Sequence, residues 1–187
     1  MKVFGIDPGS DRTGYGCLDT DGSRHRLVVC GAIATPARAE FPEKLLAIHD
    51  RLATLLAGCR PDAVAVETLF YATNVRTALK LGHVRGVILL TAIEGGYSVT
   101  EYTPAEIKRA VVGYGRAEKH QVQEMVRLLL GLKSVPSPHD AADALAVAIC
   151  HVHNQHPAAD RVVEATRRAG KAGPRSWRQY RPDRGSG

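Results

Sequence analysis

The sequence lacks closely spaced cysteine pairs. Its four cysteines are scattered along the chain, at Cys17, Cys30, Cys59 and Cys150. Zinc sites and redox motifs usually need two cysteines separated by two to four residues, and disulfide frameworks belong to short cysteine-rich secreted chains. We therefore predict free thiols, and neither a zinc site nor a disulfide scaffold.

Long apolar runs are also missing. No stretch of 18 or more apolar residues occurs, so we predict no membrane-spanning helix. The N-terminus reads MKVFGIDPGS, in which Lys2 is followed by a short apolar run that breaks at Asp7-Pro8-Gly9. This pattern is not typical of a signal peptide, and we expect a cytoplasmic protein.

Basic charge is concentrated at the C-terminal end of the chain. The net charge is +6 and the pI is about 9.3. Residues 155–187 contain eight Lys or Arg and three Asp or Glu, whereas residues 1–154 contain 17 basic and 16 acidic residues. We predict a nearly neutral folded domain over 1–154 and a basic, disordered tail over 155–187.

The order of apolar patterns predicts an α/β domain. Short apolar runs predict strands, and apolar residues at helical spacing predict helices. Three strands come first, and the Asp21-Gly22 pair predicts a hairpin between the second and third. Helix, strand, helix, strand and three further helices follow, so helices should flank a sheet. The predicted strands are 2–7, 13–19, 26–34, 63–66 and 98–102, and the predicted helices are 40–59, 74–94, 104–112, 118–130 and 139–154.

Four carboxylates lie at informative positions among these predicted strands and helices. Asp7 ends the first strand, Glu67 follows the fourth, and Asp140 and Asp143 share one face of the last helix. If the first and fourth strands are parallel neighbours, their carboxyl ends lie side by side, and the helix could bring two more acids there. Clustered carboxylates repel one another, and hard cations such as Mg²⁺ or Mn²⁺ remove that cost.

Each acid also has an ordinary structural explanation. A lone Asp after a strand is usually a turn or cap residue, and Asp140 could simply cap its helix. Glu67 is harder to explain in this way, because it directly follows the apolar run Val64-Ala65-Val66. Spacing alone therefore leaves both interpretations open.

Local sequences around these acids resemble a known family. The segments concerned are VFGIDPGSDRTGYG at 3–16, VETLFY at 66–71, TNVRTALKLGHVRG at 73–86, VGYGRAEKHQVQEMV at 112–126 and HDAADALAVAICH at 139–151. Together they are similar to the RuvC family of Holliday junction resolvases, in order and without large gaps. The resemblance covers about residues 1–154 and none of the tail.

The resemblance implies a fold and a function. The fold would be a ribonuclease-H-like mixed five-stranded sheet flanked by helices. The protein would be a homodimeric endonuclease that resolves four-way DNA junctions by paired symmetric nicks in recombination and repair. It would use Mg²⁺, with Mn²⁺ able to substitute, at two ions per active site, and would work with a branch-migration complex of the RuvA and RuvB type.

The resemblance also assigns site residues by position. Asp7, Glu67, Asp140 and Asp143 match the family's catalytic, metal-binding acids. Some members have His at the position of Asp140, and here His139 immediately precedes it. His139 and Asp143 are also four residues apart on the helix, so His139 is a possible ligand, although an exposed residue at a helix start is the alternative.

Basic residues between 108 and 133 match the family's DNA-binding segment. Lys119 would stabilise negative charge near the scissile phosphate. Lys108, Arg109 and Arg116 would contact backbone phosphates, which position DNA without reading its sequence. The alternative for each residue except Lys119 is a solvated helix face.

Two further features match the family. Phe70 and Tyr71 follow Glu67, and Phe70 matches an aromatic residue that stacks on an unpaired base; a core Phe is the alternative. The predicted helix at 74–94 has more apolar surface than one sheet contact needs. It could form part of a dimer interface or simply pack in the core.

Three other functions remain possible from the residues themselves. One is another ribonuclease-H-like nuclease, acting on RNA–DNA hybrids or on RNA. The second is a non-catalytic junction-binding module. The third is an ATP-binding domain of the sugar-kinase type, which needs a second similar domain, and a phosphate-binding P-loop is absent. The basic tail could tether DNA or have no function.

Overall fold

A computed structural model of the chain describes residues 1–68 and 74–155. In this part, the strands are β1 Lys2–Asp7, β2 Arg12–Thr20, β3 His25–Ala34, β4 Ala63–Glu67 and β5 Val99–Tyr102, and the helices are α1 Phe41–Cys59, α2 Val75–Glu94, α3 Pro104–Val112, α4 Lys119–Leu129 and α5 His139–Gln155. The predicted domain boundary after residue 154 and the character of the tail stay predictions, because residues 156–187 lie outside the described ranges.

The five strands form one mixed sheet in the order β3-β2-β1-β4-β5. β1 pairs antiparallel with β2 and β2 antiparallel with β3, while β4 pairs parallel with both β1 and β5. The expected parallel neighbourhood of the first and fourth strands is confirmed. In this register Ile6 lies opposite Val66, so Asp7 and Glu67 end neighbouring strands at the same edge.

The hairpin between β2 and β3 is also present, with a longer loop than a two-residue turn. Thr20 pairs with His25, and residues 21–24 form the connection. The Asp21 carboxylate accepts hydrogen bonds from the backbone N–H groups of Ser23 and Arg24. These bonds stabilise the charged form and lower the pKa of Asp21 to about 2.

Helix starts agree with the predicted starts to within one residue because capping residues mark them. Asn74 caps α2 through its side chain, which accepts a hydrogen bond from the Thr77 N–H. Thr103 caps α3 in the same way, with Pro104 as the first helical residue. Helix α1 ends differently from the usual glycine stop, because Arg60 takes the left-handed conformation at its C-cap with φ 48°.

Alternation along the strands divides the core into two layers. Val3 in β1 and Ala65 in β4 face the layer formed with α3, α4 and α5. Phe4 and Val66 face the opposite layer, formed with α1 and α2. This alternation is the period of two expected for a sheet that is covered on both faces.

Across residues 1–68 and 74–155, no helix combines the length and apolar character that crossing a bilayer requires.

Helix α5 packs unusually close to the sheet because glycines face it. A Cβ atom at Gly5 would overlap the carbonyl oxygen of Ala144, and one at Gly14 would overlap the carbonyl oxygen of Asp140. A Cβ at Gly16 would lie 2.6 Å from the side chain of Leu145. The glycines of β1 and β2 therefore set the distance between α5 and the sheet. This distance in turn fixes the position of the part of α5 that contains Asp140 and Asp143.

This packing predicts that Gly5→Ala lowers the free energy of unfolding by about 2 kcal/mol, because the new methyl group must push α5 away from the sheet. Gly58→Ala is the matched control, since a Cβ there meets no atom within 4 Å. The control should gain roughly 0.5–1 kcal/mol from better helix propensity. Urea unfolding measures both changes, and equal stability of the two variants would contradict the close packing.

Candidate active site

Three carboxylates line one cleft at the carboxyl edge of the parallel strands. Asp7 arrives from the end of β1, Glu67 from the end of β4 and Asp143 from the second turn of α5. The cleft has a volume of about 320 Å³. Its other lining residues are Pro104, Ile107, Lys108, Lys119, Val122 and Ala146. Basic and apolar side chains therefore line the cleft together with the acids.

The electrostatics of Asp7 and Glu67 favour a proton shared between the two carboxylates. Burial, followed by repulsion from Glu67 and Asp143, raises the pKa of Asp7 from 3.8 to about 8. Burial also raises the pKa of Glu67, while the hydrogen bond from Asp7 counteracts part of that rise. A proton held by Asp7 and donated to Glu67 avoids two adjacent buried charges.

Lys119 balances the negative charge of the third acid, Asp143. Its ammonium lies 2.7 Å from Oδ2 of Asp143, and this contact raises the pKa of Lys119. The Lys119 side chain is 64% exposed, whereas Asp143 is 17% exposed. A solvent-exposed cation from the first turn of α4 therefore contacts a largely buried carboxylate of α5.

Asp140 differs from the expectation of a four-carboxylate pocket. It lies one turn before Asp143 on α5, is half-buried and does not line the cleft. The negative charge of Asp140 still contributes to the raised pKa of Lys119. His139 is exposed at the start of α5. The structure thus brings three of the four predicted acids together, and metal-binding roles for Asp140 and His139 stay predictions.

The carboxylate set suits a hard divalent cation in its chemistry. Carboxylate oxygens are the donors such ions prefer, and a cation would replace the shared proton and the ammonium that now balance the charge. Among residues 1–68 and 74–155, however, no three acidic, His or Cys side chains are grouped tightly enough to hold an ion as they stand. Ion binding would therefore draw the side chains closer together.

The predicted DNA-contacting residues divide into two groups. Lys108 lines the cleft, and its charge offsets part of the rise that burial causes in the pKa of Glu67, so it belongs to the same electrostatic system as the acids. Arg109 and Arg116 are exposed and do not line the cleft. Phe70 and Tyr71 lie outside the described residues.

Sequence reasoning did not identify Gln123. Its side chain is 7% exposed, and its amide Nε2 lies 3.5 Å from Oδ1 of Asp143. The available signal was its position four residues after Lys119 on α4, which places both side chains on one helix face.

Comparisons with known proteins agree with this architecture. A family described as crossover junction endodeoxyribonuclease RuvC matches residues 3–151. The RuvC of Syntrophomonas wolfei is 53% identical over 154 residues, which cover 82% of this chain and 90% of that protein. The RuvC of Rubrobacter xylanophilus is 51% identical, covering 84% of this chain and 88% of that protein.

Solved structures lead to the same family. Thermus thermophilus RuvC in complex with a Holliday junction substrate is 38% identical, has a TM-score of 0.79, and covers 83% of this chain and 94% of that one. The predicted ribonuclease-H-like mixed sheet is thereby confirmed. The chain belongs to the RuvC family of crossover junction endodeoxyribonucleases.

Proposed function

We propose that this protein resolves four-way DNA junctions by hydrolysing one phosphodiester bond in each of two opposed strands, at a divalent metal site built on Asp7, Glu67 and Asp143. The observation that carries the proposal is the convergence of these acids beside Lys119 and Lys108 in a chain of this family. Asp140, one turn away on α5, is proposed to complete the ligand set when the side chains draw together.

Magnesium is the proposed ion, at two per site, with manganese able to substitute. Such ions activate a water molecule and stabilise the leaving oxygen when phosphodiesters are hydrolysed. The all-oxygen donor set of the cleft favours these hard cations over zinc or copper.

The chain's own residues would divide the remaining work. Asp7 must release its proton before it could serve as a ligand, and a cation held by Asp7, Glu67 and Asp143 would relieve the repulsion among them. Lys119, once it leaves Asp143, can reach a phosphate oxygen and balance its developing charge. Lys108, which also lines the cleft, would hold a neighbouring phosphate, and Arg109 and Arg116 would contact the backbone outside the cleft.

Junction DNA is the proposed substrate because the T. thermophilus relative forms a complex with a Holliday junction and its structure is similar to this one over most of both chains. Phe70 and Tyr71, which follow Glu67 in the sequence, are proposed to stack on bases near the crossover. A branch-migration complex of the RuvA and RuvB type is the proposed partner. The cytoplasm is the proposed location, since the relatives come from bacteria and the proposed substrate is DNA.

A homodimer is proposed because α2 has an apolar stripe on its exposed side. Val75 is 75% exposed, Leu79 60%, Leu90 55% and Ile93 61%. Gly82 and Gly86 lie between them at spacings of three and four residues, and a Cβ at either glycine would meet open space. Small residues at this spacing allow a second helix to approach closely, and paired nicks require two active sites.

Substrate choice tests the proposed function directly. Wild-type protein with Mg²⁺ should cut an end-labelled mobile four-way junction at symmetric positions in two strands, at least about 100-fold faster than linear duplex. An RNA–DNA hybrid of the same sequence is the matched competitor. Equal cutting of the hybrid would overturn the junction substrate, and binding without cutting under Mg²⁺ or Mn²⁺ would favour a non-catalytic module.

Charge balance in the cleft predicts an unusual effect of Asp7→Asn on stability. Between pH 3.8 and about 8 the folded protein holds a proton on Asp7 that the unfolded chain has released. The free energy of unfolding of the wild type therefore falls as the pH rises through this range, and Asp7→Asn avoids that loss. In chelator at pH 8, the variant should melt roughly 4–8 °C higher, which corresponds to about 2 kcal/mol.

With Mg²⁺ in place of chelator, the wild type should have the higher melting temperature of the two proteins. The ion binds the folded wild type and raises its melting temperature, whereas the variant gains little because a ligand is missing. Thermal melting at pH 5, 7 and 8, with chelator or with Mg²⁺, measures both effects. Equal melting temperatures of the two proteins at every pH in chelator would contradict the shared proton.

The apolar stripe predicts that Gly86→Leu weakens dimerisation at least about tenfold, or roughly 1.4 kcal/mol, because the larger side chain blocks close helix approach. Gly58→Leu is the matched control, since that glycine lies in α1 and also has open space around it. Sedimentation equilibrium measures the dissociation constants. A Gly86→Leu dimer as tight as the control would show that the interface lies elsewhere.

A further inference from the structure

Gln123 differs from the other polar side chains buried in residues 1–68 and 74–155. Those side chains are Thr13, Thr20, Thr91 and His151, each less than 9% exposed. Thr13 bonds within its own loop, Thr20 within its hairpin and Thr91 within its helix turn. His151 bonds to Tyr102 within the core. The hydrogen bond of Gln123 instead reaches a carboxylate of the cleft. A buried amide is costly without a partner, so this contact accounts for its presence inside the protein.

Two side chains of α4 bind the two oxygens of Asp143 separately. Lys119 Nζ lies 2.7 Å from Oδ2, and Gln123 Nε2 lies 3.5 Å from Oδ1. Lys119 and Gln123 are four residues apart, so they project from the same face of the helix. Helix α4 therefore supplies one donor to each oxygen of the same carboxylate.

The two donors differ in their freedom to move. Lys119 is 64% exposed and lines the cleft, so its long side chain can leave Asp143 for water or a phosphate. Gln123 does not line the cleft and is only 7% exposed. The Lys119 contact to Oδ2 can thus be exchanged for another, whereas the contact to Oδ1 comes from Gln123, a residue outside the cleft lining.

We infer that Gln123 is a positioning residue: its amide holds Oδ1 of Asp143 so that Oδ2 faces the cleft, where Lys119 and a divalent cation exchange for it. This rests on the proposed function, because it assumes that Asp143 binds the metal. Hydrogen bonds behind a metal-binding carboxylate orient it before the ion arrives. Gln123 touches neither the ion nor the DNA in this scheme.

The test is Gln123→Met, which keeps the length of the side chain and removes its donor. Titration calorimetry with Mn²⁺ alone, without DNA, should show an affinity about tenfold weaker than that of the wild type. The Mg²⁺ concentration for half-maximal junction cleavage should rise by the same factor. KM for the junction and the melting temperature in chelator should be unchanged. Thr91→Val, which removes a buried hydroxyl from α2, is the control that should leave Mn²⁺ affinity as it was.

Two results would overturn the inference. One is equal Mn²⁺ affinity in Gln123→Met and the wild type, whatever happens to cleavage. The other is a loss of affinity that only accompanies a lowered melting temperature and appears equally in Thr91→Val, which indicates a purely structural residue. If Mn²⁺ binding weakens as expected but the wild type cuts no junction, the positioning role stands and the proposed function fails.

Discussion

Electrostatic repulsion among three carboxylates is the constraint on which the rest of the site depends. Asp7 and Glu67 are adjacent because β1 and β4 are parallel neighbours, and α5 adds Asp143. Such a cluster persists only when positive charge or a proton balances it. The ammonium of Lys119 contacts Asp143, and the raised pKa of Asp7 favours a proton shared with Glu67, so these two groups would provide the balance. Both can leave, which makes the same cluster suitable for cations and for a phosphate that approaches with them.

The fold creates this cluster through close packing. Gly5, Gly14 and Gly16 have no side chains that would keep α5 away from β1 and β2, so the helix lies directly on the sheet. Its second turn then reaches the edge where the strands end. A methyl group at Gly5, which does not itself line the cleft, would therefore displace the helix that supplies Asp143.

Much of the fold could be predicted because its signals are local. Apolar runs that end at Asp7 and Glu67 predicted both strands and their acids, and Asn74 and Thr103 marked helix starts through their capping side chains. The local sequence, by contrast, does not distinguish Asp143 from Asp140. Spacing places both acids on one helix face, but in the folded structure Asp143 lines the cleft and Asp140 does not. Gln123 was missed because its partner is 20 residues away, and a polar residue in an amphipathic helix normally predicts a surface position.

Cleavage by Asp7→Asn compared with the wild type tests the central claim most directly, namely that the carboxylate cleft is where the phosphodiester bond is broken. Single-turnover nicking of a pre-bound four-way junction in Mg²⁺ should fall by at least about 1,000-fold in Asp7→Asn, roughly 4 kcal/mol of transition-state stabilisation. Junction affinity in the presence of chelator should stay within about threefold of the wild type, since phosphate contacts by basic residues dominate binding. Symmetric nicks at an undiminished rate in Asp7→Asn would contradict the account and place the chemistry outside this cleft.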